Sequence, residues 1–185
     1  MYLQKFLTVV ALLFATSANA ADYKIDRQPD GPFAFTISGV KLNEESTLTR
    51  ESILFNEPTC PVSVDSHTTK ISYKDRGFRF LGKTGIQVKN PIVAVQVRTI
   101  LYDVFGQHMM NLSNAEPKDF SIGASTLDGE WRASDQDVSE LLTTVTYVAR
   151  VRLLDGTQWV FNADNLQLAL STLKLEQKIG DQEKE

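Results

Sequence analysis

Cysteine and histidine are the scarcest chemistry-bearing residues here: Cys60 stands alone, and His67 and His108 are the only imidazoles. A single thiol closes no internal disulfide, and two histidines are too few for a histidine-rich metal centre. The sequence also lacks a Gly-x-Ser-x-Gly elbow, a phosphate-cradling glycine loop and a dinucleotide fingerprint. Those absences remove the commonest nucleophile and nucleotide chemistries, and no cofactor is expected. Positive charge is not in excess, with 19 Lys and Arg against 23 Asp and Glu. A mildly acidic protein has no general attraction for nucleic acid or anionic lipid. Nor does any apolar run reach the ~20 residues that a membrane-spanning helix needs.

The one pronounced apolar run lies at the start. Phe6 to Ala15 carries no charge and follows Lys5; after it, "TSANA" sets Ala18 and Ala20 where a signal peptidase reads small side chains. Residues 1–20 are therefore expected to be a signal peptide cleaved after Ala20, leaving a periplasmic or secreted protein. The mature chain, 185 residues less 20, keeps 18 basic and 23 acidic side chains. That length suits one domain with one core and has no further membrane span.

Beyond the leader the dominant period is two. Residues 21–32 are polar, with Pro29, Gly31 and Pro32, and read as a flexible lead-in. Residues 33–163 read as a β-sandwich domain. Phe33, Phe35 and Ile37 alternate in a first short strand, and "SILF" suggests another. Pro58 and Pro61 exclude a central strand at "NEPTCP". A hairpin is expected to turn at Lys74-Asp75-Arg76-Gly77. Val93, Val95, Val97, Thr99 and Leu101 share one face of the next strand, with Ala94, Gln96 and Arg98 on the other. Past Arg98 the second face also turns apolar through Ile100, Tyr102 and Val104, so that the strand should pass beneath a cover or bend at a bulge.

The other major strand is Leu142 to Leu154. Its alternation puts Val145, Tyr147, Ala149, Val151 and Leu153 inward and Thr144, Thr146, Arg150 and Arg152 outward. Asp155-Gly156 signals a type I′ hairpin, whose return arm holds Trp159 and Phe161 on one face. Between the two strands, weaker strands are expected at "HMMNL" and "DFSIG", followed by a polar loop that carries Trp131. Residues 164–185 read as a C-terminal helix and charged tail. Asn162, Asp164 or Asn165 serves as N-cap, and Leu166, Ala169, Leu170 and Leu173 fall at helical spacing. The fold class expected is mainly β: an immunoglobulin-like antiparallel β-sandwich with a short C-terminal helix, with a closed barrel as the alternative.

Val88, Asn90, Val95, Val97, Leu101, Tyr102, Asp103 and Gly106 give the stretch from Ile86 to Met110 a recognisable outline. It resembles the bacterial immunoglobulin-like domains named for a Phe-x-Leu-Tyr-Asp motif (FxLYD), with Thr99 standing at the Phe position. The resemblance implies an exported sandwich in which Val95, Val97 and Leu101 line the core, and it carries over no catalytic residue. Physically, Asp103 should open a turn that Gly106 helps close, and Tyr102 should bury its ring while its hydroxyl finds a backbone partner.

Several constellations bear on chemistry. Cys60 is either a small buried residue or a free, reactive thiol. Cys60, Asp65 and His67 lack the fourth ligand and the spacing of a zinc site. "DSH" at Asp65–His67 reads as a polar turn, and on a strand its neighbours would face opposite ways. Asp128, Glu130, Asp135 and Asp137 flank Trp131 but are too widely spaced for a calcium loop. If the strands at Val95 and Thr143 are neighbours, Gln96, Arg98, Arg150 and Arg152 fall on one sheet face and make either an anion- or carboxylate-recognising patch or ordinary solubilising decoration of an exposed face, paired with nearby acids. The expectation is thus an exported non-catalytic module, not an enzyme, that binds an envelope or secreted macromolecule through a sheet face, a sheet edge or the Trp131 loop. A small hydrolase or protease inhibitor is the alternative, and a thiol enzyme using Cys60 is a weaker third reading.

Overall fold

The computed structural model describes residues 22–33, 35–37, 40–42 and 47–179. The expected signal peptide, its cleavage site and the charged tail from residue 180 lie outside them. Eleven strands and two helices follow in order: β1 (Lys24–Pro32), β2 (Phe35–Ile37), β3 (Val40–Leu42), β4 (Thr49–Asn56), β5 (Val62–Lys74), β6 (Gly77–Val88), β7 (Ile92–Asp103), β8 (His108–Glu116), β9 (Gly123–Ala133), α1 (Asp135–Glu140), β10 (Leu141–Leu153), β11 (Gln158–Val160) and α2 (Ala163–Thr172).

Two sheets face each other. The larger runs β1-β4-β10-β7-β8, with β11 also pairing β10, and the smaller runs β5-β6-β9; β2 and β3 form a separate small hairpin. From β5 onward two strands enter the small sheet, two enter the large one, β9 returns to the small, and β10 and β11 to the large. The chain thus fills the two layers of a β-sandwich by crossing between them three times after β5. All pairings are antiparallel except β4 with β10.

The lead-in expected at residues 21–32 is instead strand β1, paired with β4 from Lys24 to Pro32. Its prolines do not prevent this because β1 is an edge strand; the register shifts between Pro29 and Pro32. The polar stretch expected to be a loop around Trp131 is strand β9, paired along β6 from Gly123 to Ala133, and helix α1. The strand expected at "DFSIG" reduces to one bridge between Ile92 and Phe120.

The core lies in two lobes between the sheets. One gathers Val62, Val64, Ile86, Val88, Val95, Val97, Val148 and Val151; the other gathers Phe78, Phe80, Leu101, Leu112 and Leu141. A third apolar layer lies on the far face of the large sheet, where Leu166, Ala169 and Leu170 of α2 and Ile179 cover Ile100, Tyr102, Val145 and Tyr147. The second face of β7 turns apolar past Arg98 because α2 and the chain after it cover that half.

β10 departs from simple alternation. Its register against β7 shifts between Val148, opposite Val97, and Arg150, opposite Gln96, so Ala149 is a bulge. Thr144, Thr146, Val148 and Val151 therefore share the inter-sheet side, and Val145, Tyr147 and Ala149 lie with Arg150 and Arg152 on the far side. Thr144 and Thr146, expected outward, are 2% and 0% exposed. Thr146 and Thr99 share a buried hydroxyl–hydroxyl hydrogen bond of 3.0 Å. For the same reason Trp159 and Phe161 pack on different clusters, not on one face.

Turn chemistry fixes the ends. Asn162 caps α2, accepting from the Asp164 and Asn165 amides. The helix closes in a Schellman arrangement: Lys174 (φ 60) donates to Ser171 O and Leu175 to Leu170 O. At the β10–β11 hairpin only Gly156 takes positive φ, so the turn is not the expected type I′. At the β5–β6 hairpin both central residues do, Asp75 at 52° and Arg76 at 59°. Arg76 lacks the side-chain acceptor that eases this conformation for Asp and Asn. Arg76→Gly should therefore raise unfolding free energy in urea by about 0.5–1 kcal/mol, with no change expected in the denaturant slope.

Candidate functional site

The far face of the large sheet is divided in two. One half is roofed by α2 and the segment after it; the other is open and carries the residues singled out from sequence. Register places them in pairs: Arg152 opposite Ala94, Arg150 opposite Gln96, Tyr147 opposite Arg98. On the other side of β7, Ser113 lies opposite Arg98 and Ala115 opposite Gln96. The strands at Val95 and Thr143 are neighbours, and Gln96, Arg98, Arg150 and Arg152 do share one face.

Their hydrogen bonding orients one guanidinium. Gln96 Nε2 donates to Ser113 Oγ at 2.8 Å, which aims its carbonyl at Arg150 Nε, 2.7 Å away. With Nε engaged, the terminal nitrogens of Arg150 are left to meet a carboxylate bidentately. Among the described residues none of Arg98, Arg150 and Arg152 enters a salt bridge, whereas Arg27 and Arg79 each meet a glutamate. Glu116, at the rim, is taken up by Lys118 at 3.2 Å. The open half holds a depression of about 330 Å³ with Ala94, Ala115 and Pro117 in its lining, Arg150 and Arg152 beside them and Gln158 on β11. The arrangement is a small apolar surface beside Arg150, held at Nε, and Arg152, with Glu116 also in the lining but drawn to Lys118, a form that suits anions with an apolar body.

Trp131 does not join this surface. Its ring lies across two facing glycines of β6 and β9; a Cβ on Gly129 would come within 2.0 Å of it and one on Gly82 within 2.8 Å. Its indole nitrogen donates to Ser113 O at 3.3 Å, linking β9 to β8 across the open side of the sandwich. Asn114, donating to Asp128 O at 2.9 Å, makes a second such link. Trp131 is a strut between edges, and the carboxylates near it are dispersed: Asp128 and Glu130 on β9, Asp137 in the capping box of α1 with Ser134.

Cys60 is 3% exposed, and burial pushes its thiol up to about 12, so the reactive thiolate is disfavoured at neutral pH. His67 is not in a polar turn but inside β5, 2% exposed, with Nδ1 2.8 Å from Thr84 Oγ1 and Nε2 3.0 Å from Thr69 Oγ1. Both ring nitrogens are thus occupied by hydroxyls. Among the described residues no group of three or more His, Cys, Asp or Glu is placed to hold a metal ion.

The opposite side of the sandwich is closed by charge. The Asp30 carboxylate on β1 accepts the Thr69 amide of β5 at 3.0 and 3.2 Å. Burial raises its pKa against the opposing pull of that amide and of Arg50. Arg50 Nε donates to Pro32 O at 3.2 Å. Local sequence does not signal this cluster, because Asp30 lies in a polar, proline-containing stretch with no alternating pattern. Proteins of known family, curated proteins and solved structures were compared with the chain, and none matches. No helix among the described residues is long and apolar enough to cross a membrane.

Burial pushes the His67 imidazole down to about 4 from an ordinary 6.5. The unfolded chain therefore takes up this proton first. The stabilisation is complete above about 6.5 and is lost as pH falls towards 4, an effect of roughly 3 kcal/mol. Equilibrium unfolding of wild type and His67→Gln between pH 7.5 and 4 should show a shallower acid decline in the variant; parallel declines would contradict this.

Proposed function

We propose that the protein is an exported, non-catalytic binding module of the cell envelope that recognises carboxylates of another envelope or secreted macromolecule. The observation that carries this reading is the open half of the large sheet, where Arg98, Arg150 and Arg152 lack acidic partners among the described residues and Gln96 pre-orients Arg150. An arginine face that only solubilised the sheet would gain from acids beside it, as Arg79 does from Glu130 at 3.4 Å. A guanidinium held at Nε loses less conformational freedom when a carboxylate arrives, which favours recognition over decoration. The apolar lining adds a contact surface that charge alone would not supply.

Other features support the same reading. The leader argues for export, and export brings the protein among envelope and secreted partners. The burial of Cys60 and the hydroxyl partners of His67 count against a thiol mechanism. A β-sandwich scaffold is compatible with many functions, and the face, not the fold, carries the assignment.

The test is retention of envelope-extract proteins on immobilised wild type and on an Arg98→Ala/Arg150→Ala/Arg152→Ala variant. All three side chains stand on the open face, so the variant should fold with an unchanged far-ultraviolet spectrum. Proteins held by wild type at low salt should be lost from the variant and released from wild type by 0.5 M NaCl, since exposed ion pairs are screened. Identical retained sets would remove the arginine face from the function.

A further inference from the structure

The chain after α2 passes beside β8, which it meets at two points with the same sequence offset. His108 N donates to Glu176 Oε2 at 2.8 Å and Asn111 Nδ2 to Ile179 O at 3.1 Å, each contact spanning 68 residues. Glu176 N also donates to Gly106 O, and Tyr102 Oη to Glu176 O. Three residues of strap thus advance beside three residues of β8, in the same direction, over the outer face of the large sheet. Ile179 is buried against the layer that contains Ile100. Asn111 pairs with Ile100, and the next outward residues of β8 are Ser113, beside Arg98, and Ala115, beside Gln96. The strap therefore points from the roofed half towards the open half.

Beyond Gly180 the sequence reads Asp181-Gln182-Glu183-Lys184-Glu185, with a carboxylate at every second position. Continued at the same offset of 68, the strap would bring Asp181 to Ser113, Glu183 to Ala115 and Glu185 to Pro117. Those three β8-side positions flank, in order, Arg98, the Gln96–Arg150 pair and the depression that Arg152 lines. Extended chains advance about 6.6 Å per two residues, so in extended form the acids would repeat at the spacing of the arginines.

We propose that the arginine face is the docking site of the chain's own acidic segment Asp181–Glu185, which continues the strap and competes there with the external carboxylate ligand. The inference rests on the reading of this face as carboxylate-recognising. It makes the segment an internal competitor, held at a high effective concentration by the strap.

The test titrates the full chain with a synthetic Asp-Gln-Glu-Lys-Glu peptide, blocked at both ends, at low salt. Wild type is compared with Asp181→Asn/Glu183→Gln/Glu185→Gln and with that variant carrying Arg150→Ala/Arg152→Ala. The neutralised variant should bind the peptide at least tenfold more tightly than wild type, and the arginine-free form should not bind it. Equal affinity of wild type and the neutralised variant would overturn the internal docking while keeping the carboxylate face. Absence of binding to every form would overturn both. A second measurement reads register: Glu183→Cys with Ala115→Cys should form a disulfide at least tenfold faster than Glu183→Cys with Ser125→Cys on the opposite sheet. Equal rates would refute the placement.

Discussion

The antiparallel ladder between β7 and β10 is the element on which the other parts of the molecule depend. Along most of its length it is buried on both sides, by the small sheet on one and by α2 with the following strap on the other. A strand pair buried on both faces tolerates few polar side chains unless they satisfy each other, and Thr99 with Thr146 does so. Past the Ala149 bulge the far face loses its roof, and polar side chains reappear at once in Gln96, Arg150 and Arg152. The same ladder thus supplies the core of the domain and the floor of its candidate binding surface.

The two free sides of the sandwich are joined by side chains. Trp131 and Asn114 link β9 to β8, and Asp30 links β1 to β5. Exposed strand edges invite pairing with other chains. Here each edge has a neighbour from the other sheet close by, and Pro29 and Pro32 further interrupt β1. Gly82 and Gly129 make room for the Trp131 ring, so the strut and the glycines belong together.

Residues that signal structure by alternation were readable in the sequence. The β5–β6 hairpin at Asp75-Arg76, the burial of Val95, Val97 and Leu101, the Asp103–Gly106 turn and the Asn162-capped helix all stand where side-chain period and turn chemistry put them. Tyr102 is fully buried with its hydroxyl on a backbone carbonyl. Three features were not readable, each for a physical reason. A bulge leaves the residue types of a strand unchanged while reversing their faces, so Thr144 and Thr146 looked outward. β9 buries only Leu127 fully, and its Gly129, Asp128 and Glu130 disfavour strand in isolation; pairing along β6 overrides them. β1 is polar and contains prolines, and its assignment depends on β4, whose paired residues lie 17 (Pro32–Thr49) to 32 (Lys24–Asn56) positions further on, so no local signal marks it. The arginine face was legible because it needed only that two strongly alternating strands be neighbours.

Amide hydrogen exchange across the β7–β10 ladder tests the account most directly, because protection reports which hydrogen bonds open only with the whole fold. Residues 99–102 and 143–148, roofed on both sides, should exchange last and together, at the free energy of global unfolding. Amides around Gln96, Arg150 and Arg152 should open earlier, by local fluctuations. Slowest exchange in β5, β6 and β9, or uniform protection along β10 through Ala149, would contradict a domain built on this doubly covered pair.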